Sequence, residues 1–241
     1  MWDLKRFADA PAVTDDRGEV LTYNELEAAC RALYEAVGGR CLVFCLSENR
    51  LGSLVGYAGF LQHRVVPAML KRSLDGELLR SLLDDYRPSF VWLPEEDAAA
   101  PLWEGFAPVY GAFGYTLLKT PYEEPAPLYE ELALLLTTSG STGSPKFVRQ
   151  SYENIRANTD SIVEYLGLTS DERPITTLPM NYTYGLSIIN THLDVGANIL
   201  LTDKSLMQRE FWSFLREKEA TSFGGARKPS RSRPRCWWRR A

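Results

Sequence analysis

Along the first hundred residues, stretches whose apolar side chains recur at helical spacing alternate with short, continuous apolar runs, and this alternation leaves few folds open. A helical stretch buries one stripe, whereas a continuous apolar run of roughly four to eight residues marks a strand covered on both faces. Strands and helices that alternate in this way build a mostly parallel sheet flanked by helices, because parallel neighbours need a crossover connection. The expected fold is therefore α/β, with wound, mostly parallel sheets.

The individual elements follow from local chemistry. Thr22 and Glu25 have capping-box spacing, and Leu26, Ala29, Cys30, Leu33 and Val37 share a stripe that stops at Gly38 and Gly39. A strand is expected over residues 41–46 and a helix over 51–61, in which Gly52, Gly56 and Gly59 share a face. Each glycine weakens a helix by about 1 kcal/mol relative to alanine, so three on one face imply close packing against a sheet or a neighbouring helix. The pattern repeats with a strand over 65–70, a helix bearing Leu74, Leu78, Leu79, Leu82 and Leu83, and a strand over 90–93. Residues 94–130 lose the periodicity and include the run PYEEPAP, which reads as a surface connection. Structure resumes with a strand over 132–137, an extended stretch over 147–150, and a helix capped by Ser151 that carries Ile155, Thr159, Ile162, Val163 and Leu166 before Gly167. A strand near 175–178 and an amphipathic helix carrying Met207, Phe211, Phe214 and Leu215 complete the pattern.

Between the strand over 132–137 and the extended stretch lies Thr138-Ser139-Gly140-Ser141-Thr142-Gly143-Ser144-Pro145-Lys146. Glycines leave room for successive backbone N–H groups to turn inward around a polyanion, and phosphate fits such a cradle. The hydroxyls of Thr138, Ser139, Ser141 and Thr142 add donors, and Lys146 adds a compact positive charge. Pro145 stands where a Walker A loop has its second glycine, so another nucleotide-binding class is required. A flexible Ser/Gly linker is the competing reading, but a linker seldom lies tightly between a buried strand and a Pro-Lys pair.

Residues 137–146 resemble the phosphate loop of the adenylate-forming, AMP-binding family, which includes acyl-CoA synthetases, luciferases and the adenylation domains of peptide synthetases. Leu21-Thr22-Tyr23-Asn24-Glu25-Leu26 is similar to the family's N-terminal LTY-x-EL box, and LPMNYTYGL at 178–186 is similar to the segment that lines its acyl pocket. The resemblance covers most of residues 20–225. It implies the N-terminal domain of that fold and ATP-dependent activation of a carboxylic acid: a carboxylate attacks the α-phosphate of Mg²⁺-ATP, and the acyl adenylate passes to a thiol of CoA or of a carrier protein's phosphopantetheine. Thr138, Ser139, Gly140, Ser141, Thr142, Gly143 and Lys146 would hold the phosphates, with Tyr182, Tyr184 and Gly185 at the acyl substrate. Tyr182 and Tyr184 occupy positions where family members commonly carry an aromatic residue or histidine. The family's later motifs, an acidic residue at Mg²⁺, an aspartate at the ribose and a lysine on a C-terminal domain, have no counterpart here.

Other residues offer weaker signals. Four cysteines at irregular spacing, Cys30, Cys41, Cys45 and Cys236, do not make a disulfide framework, and Cys41 and Cys45 read as small buried hydrophobes. His63 and His192 lack further ligands at a metal-site spacing and read as structural. Asp84-Asp85 and Glu95-Glu96-Asp97 read as solvated acids at element ends. No apolar run approaches the roughly 20 residues that cross a bilayer, and the N-terminus has no signal-type apolar core, so the expected location is the cytoplasm.

Composition changes abruptly after Gly225. Residues 226–241 carry seven basic and no acidic residues, which leaves 20 basic against 31 acidic in the rest. The expectation is an AMP-binding domain over 1–225, cut short and inactive, followed by a tail over 226–241 translated out of frame. The alternative is a non-catalytic polyphosphate-binding module whose tail, with Trp237 and Trp238 among its arginines, binds nucleic acid.

Overall fold

The computed structural model of the chain describes residues 1–124, 127–137 and 147–224. After a short 3₁₀ turn at Leu4–Phe7 come β1 (Pro11–Asp15), β2 (Val20–Thr22), α1 (Tyr23–Val37), β3 (Leu42–Ser47), α2 (Leu51–Gln62), β4 (Val66–Lys71), α3 (Gly76–Tyr86) and β5 (Phe90–Pro94). Then follow β6 (Ala107–Ala112), β7 (Tyr115–Lys119), β8 (Leu132–Thr137), β9 (Phe147–Ser151), α4 (Tyr152–Leu166), β10 (Pro174–Ile175), α5 (Thr183–Val195), β11 (Ile199–Leu201), α6 (Arg209–Glu217) and β12 (Ser222–Phe223).

These strands form two sheets. In the seven-stranded sheet, ordered β6-β7-β5-β3-β4-β8-β9, the four inner strands β5, β3, β4 and β8 are parallel, and β7, β6 and β9 join antiparallel. The five-stranded sheet, ordered β12-β10-β11-β1-β2, is parallel except for β2. The first strand of the chain therefore belongs to the later sheet, with Val13 beside Ile199.

The apolar side chains separate into three clusters that define the layers. The largest lies between the sheets and joins Tyr23, Leu26, Cys30 and Leu33 of α1, most of α2, and Leu186, Ile189 and Leu193 of α5. Leu79, Leu82 and Leu83 of α3 cover the outer face of the seven-stranded sheet. Phe211 and Phe214 of α6 cover the outer face of the other sheet. Helices outside and between two sheets satisfy every buried sheet face.

The helix ends show why the sequence pattern was readable. Thr22 accepts from the Glu25 backbone N–H while Glu25 returns a bond to the Thr22 backbone, and Gly38 ends α1 at φ 79°. Ser151 and Asn154 make the same reciprocal cap on α4, which ends at Gly167. In α2 the three glycines pack as expected: a Cβ on Gly52 would meet Tyr115 at 2.4 Å, one on Gly56 would meet Trp92 at 2.4 Å, and one on Gly59 would lie 3.1 Å from the Cys30 backbone.

Three expectations need correction. Residues 94–130 are not only a surface connection, because β6 and β7 form a hairpin that extends the seven-stranded sheet. Its two-residue turn, Phe113-Gly114, has φ of 52° and 69° and so a primed-type geometry, but Phe-Gly lacks the Asn-Gly or Asp-Gly signature that would announce it. The strand near 175–178 is only Pro174–Ile175, and the chain then turns toward α5. Met207 precedes α6 and is 94% exposed, so it takes no part in that helix's buried stripe.

His192, Cys30 and Cys45 are buried in the core, whereas Cys41, expected to be a buried hydrophobe, is only partly buried just before β3. The His192 Nδ1 donates to the Ile188 carbonyl at 2.7 Å, and burial pushes its pKa down to about 4 from 6.5. His63 stacks on Tyr34 with ring centroids 4.6 Å apart. Cys30, Cys41 and Cys45 are free thiols, and burial pushes the Cys41 thiol up to about 11. Cys236 and the tail over 226–241 lie outside the described residues.

Two predictions follow from this packing. Gly56→Ala should lower stability by roughly 1–3 kcal/mol through overpacking against Trp92, despite a gain in helix propensity. Gly76→Ala, with open space around its Cβ, should be neutral or stabilising by up to about 1 kcal/mol; urea midpoints at unchanged m-value compare the two. His192 is neutral when folded and its folded pKa lies below its unfolded value, so its protonation favours the unfolded chain. Stability should fall between pH 6.5 and about 4 by at most about 3 kcal/mol from this group, and His192→Gln should flatten that part of the pH profile.

Candidate active site

The parallel strands β3, β4, β5 and β8 all end at one edge of the seven-stranded sheet, the position where open α/β sheets bind ligands. β8 is held at its other end by Arg40. That guanidinium donates to the backbone carbonyls of Arg64, Tyr129, Glu130 and Leu132 at 2.6–3.1 Å and so fixes the chain as it enters the strand. Thr138, Ser139, Gly140, Ser141, Thr142, Gly143 and Lys146 lie outside the described residues. The residues that bracket them do not: Thr137 and Phe147 are paired across the β8–β9 ladder. The loop thus leaves and re-enters the sheet at a single point of its carboxyl edge.

A cleft of about 600 Å³ lies at the ends of β3 and β4. Its walls include Ser47, Asn49, Arg72 and Trp103 from the seven-stranded half, and Pro179, Asn181 and Asp203 from the segments that follow β10 and β11. Among the described residues, the buried amide oxygens of Asn49 and Asn181 have no hydrogen-bond partner. Buried polar atoms ordinarily find a partner, so these two are places where a ligand's donors would be satisfied.

Of the acids at 95–97, Glu96 and Asp97 are not simply solvated but ion-paired, which corrects the sequence reading for these two. Arg72 binds Asp97 through two nitrogens at 2.6 and 2.8 Å and also reaches Glu48 at 2.9 Å and Glu96 at 2.8 Å. Arg50 lies 3.1 Å from Glu48, 3.3 Å from Glu96 and 3.6 Å from Asp203, so the network ties the two sheets together across the cleft. The bonds to Asp97, opposed by burial, raise the Arg72 pKa above its ordinary value, and the bond from Arg72 lowers that of Glu96. No sequence spacing announced this group, because its members come from four separate strand ends.

The segment 178–186 is arranged by one glycine. A Cβ on Gly185 would lie 2.4 Å from the Pro179 carbonyl oxygen, so only glycine lets α5 begin this close to the Leu178–Pro179 backbone. This close approach carries Pro179 and Asn181 into the cleft. Tyr182 stands at the N-cap position of α5 and is 54% exposed. Tyr184 turns toward Gly224, whose added Cβ would lie 3.7 Å from its ring, and Gly224 accepts a hydrogen bond from the Thr177 hydroxyl. The two tyrosines therefore diverge. Between β8–β9 and α4–α5 is a second, smaller pocket.

A two-sheet α/β fold whose parallel strands end together at one edge matches the N-terminal domain of adenylate-forming enzymes. The family model of the AMP-binding enzyme matches residues 2–227, and the chain belongs to that family. It is 34% identical over 210 residues to 2-succinylbenzoate–CoA ligase of Listeria monocytogenes, covering 84% of this chain and 44% of that protein. It is 28% identical over 235 residues to the mitochondrial malonate–CoA ligase of Homo sapiens, covering 87% of this chain and 40% of that protein. Among solved structures, o-succinylbenzoate CoA synthetase from Bacillus subtilis in complex with its acyl-adenylate intermediate superposes with a TM-score of 0.72 at 20% identity, covering 91% of this chain and 59% of that one. The chain thus spans less than two-thirds of the length of these relatives.

Arg72→Met should destabilise the fold by roughly 1–2 kcal/mol at neutral pH, because Glu48 and Asp97 lose their counter-charge. Glu96 has a folded pKa below its ordinary 4.5, so its contribution is present above that value and is lost as pH falls through the folded pKa. The difference between wild type and variant in urea midpoint should accordingly shrink below about pH 4.5.

Proposed function

We propose that the whole protein activates a carboxylic acid with Mg²⁺-ATP and transfers the acyl group to a thiol. In the first step a carboxylate oxygen bonds to the α-phosphorus, the bond from that phosphorus to the bridging oxygen breaks, and pyrophosphate leaves. In the second, a thiolate attacks the acyl carbon and AMP departs with the carboxyl–phosphate oxygen. The observation that carries this reading is the delivery of residues 138–146 by β8 to the carboxyl edge, in register at Thr137 and Phe147. The named activities of the related 2-succinylbenzoate–CoA and malonate–CoA ligases support it.

An anionic nucleophile approaching a triphosphate needs charge neutralisation above all. Lys146 and the backbone N–H groups of the loop would supply it on the leaving pyrophosphate. Mg²⁺ would enter bound to the triphosphate, since it keeps most of its waters and needs few protein ligands. Tyr182 and Tyr184, flanking the start of α5, would meet the acyl substrate. The thiol would be that of CoA or of phosphopantetheine on a carrier protein, entering through the larger cleft.

In these 241 residues the family's ribose and Mg²⁺ motifs have no counterpart, so the reading for this chain is nucleotide binding without turnover. Equilibrium titration with Mg²⁺-ATP tests it. The chain should bind ATP, and Lys146→Met should weaken binding about tenfold, the loss of one charge-assisted contact. Equal ATP affinity of the two proteins would remove Lys146 from the site, and acid-dependent ATP–pyrophosphate exchange by this chain would overturn the reading of its inactivity.

A further inference from the structure

The strand that carries the loop 138–146 has few backbone bonds to fix where it sits along its neighbours. β8 pairs with β4 at two positions only, Ala68 with Leu135 and Met69 with Leu136, whereas β3 and β4 pair all the way from Leu42–Val66 to Ser47–Lys71. β4 cannot extend the ladder to β8 toward its own start. The Val66 N–H donates to the Cys41 carbonyl on the β3 side, so the alternation of a parallel strand turns residue 67 toward β8, and Pro67 has no N–H to give. On the other flank, the β8–β9 register shifts between Leu132 and Leu134.

Nor does the side-chain pattern choose a register. Residues 132–136 read Leu-Ala-Leu-Leu-Leu, and both faces of the strand are buried: Ala133, Leu134 and Leu136 in the core between the sheets, Leu132 and Leu135 in the cluster under α3. In a strand with one polar face, a slip of one residue turns the apolar set to solvent and is forbidden. In β8 the same slip largely exchanges leucine for leucine.

Arg40, in the α1–β3 connection, supplies the missing constraint. Its guanidinium donates to the Arg64 carbonyl, two residues before β4, at 2.6 Å and to the Leu132 carbonyl, the first of β8, at 2.8 Å. Further bonds reach the carbonyls of Tyr129 at 2.8 Å and Glu130 at 3.1 Å. One rigid, planar fork therefore holds the beginnings of β4 and β8 in a fixed relation.

We propose that Arg40 is a positioning residue for the phosphate loop: it sets the register of β8 against β4, and through it the height at which residues 138–146 leave the sheet edge. The inference rests on the carboxylate-activating reading above. Arg40 touches no substrate, since it lies at the opposite end of β8, roughly 20 Å away along the strand. A slip of one residue would move the loop by about 3.3 Å, more than the length of a hydrogen bond to phosphate.

Titration of the full chain with Mg²⁺-ATP, combined with NMR of the same proteins, tests this. Arg40→Met should weaken ATP binding about tenfold, and the backbone NOEs that join Ala68 and Met69 to Leu135 and Leu136 should give way to those of a neighbouring register. Arg40→Lys keeps the charge without the fork and should behave in the same way, which also carries the test should Arg40→Met not fold. Pro67→Ala in the Arg40→Met background gives β8 the missing donor and should recover about threefold in affinity. Gly56→Ala, which weakens the core away from β8, should leave the affinity of the folded protein within about twofold. Unchanged ATP affinity in the Arg40 variants, or an equal loss in Gly56→Ala, overturns the proposal. Should the wild-type chain bind no ATP, the nucleotide reading fails and the NOEs decide alone: a shifted register in Arg40→Met upholds the clamp, and an unshifted one overturns it.

Discussion

The parallel pairing of β1 with β11 is the constraint on which the rest of the molecule depends. It places the first strand of the chain in the sheet completed by the last, so the intervening elements are enclosed between the sheets. Tyr23, the first residue of α1, reinforces this closure: its hydroxyl donates to the Ala197 carbonyl at 2.8 Å, next to β11. A pairing between strands this far apart in sequence carries a large loop-closure cost before its contacts form. The contacts that offset it are those of the shared core, to which α1, α2, α5 and both sheets contribute.

That closure also explains the cleft. Because the sheets share a middle layer, the carboxyl ends of β3 and β4 meet the segments after β10 and β11, and residues remote in sequence line one surface. Arg50 and Arg72 hold acids from both halves across it. A half-buried network of this kind adds little net stability per pair, but it fixes the separation of the two walls. Position matters more than strength where the two walls of a cleft are to be held at one separation.

How much of this was legible in the sequence depended on the range of the interactions involved. α1 and α4 were readable because their caps are reciprocal side-chain bonds within three residues, and α2 because its glycines announced Tyr115, Trp92 and Cys30 as close neighbours without naming them. The β6–β7 hairpin was not readable: β6 is an edge strand with a mostly exposed pattern, and its Phe113-Gly114 turn lacks the usual residues. At the site, the loop 138–146 stood out because its chemistry is contiguous in the chain. Asn49, Arg72, Asp97 and Asp203 did not, because each becomes part of the cleft only when separate strands end at the same edge.

The two cavities differ in a way that this geometry accounts for. The larger one is a junction between halves, lined by both signs of charge and closed by ion pairs. The smaller one lies between β8–β9 and α4–α5, and its polar lining among the described residues is Arg149 and Gln150 of β9 with amides and hydroxyls of α4 and α5. In the smaller pocket one amide, that of Asn190, is fixed by the buried Tyr57 hydroxyl, whereas the walls of the larger cleft are held apart by ion pairs between the two halves.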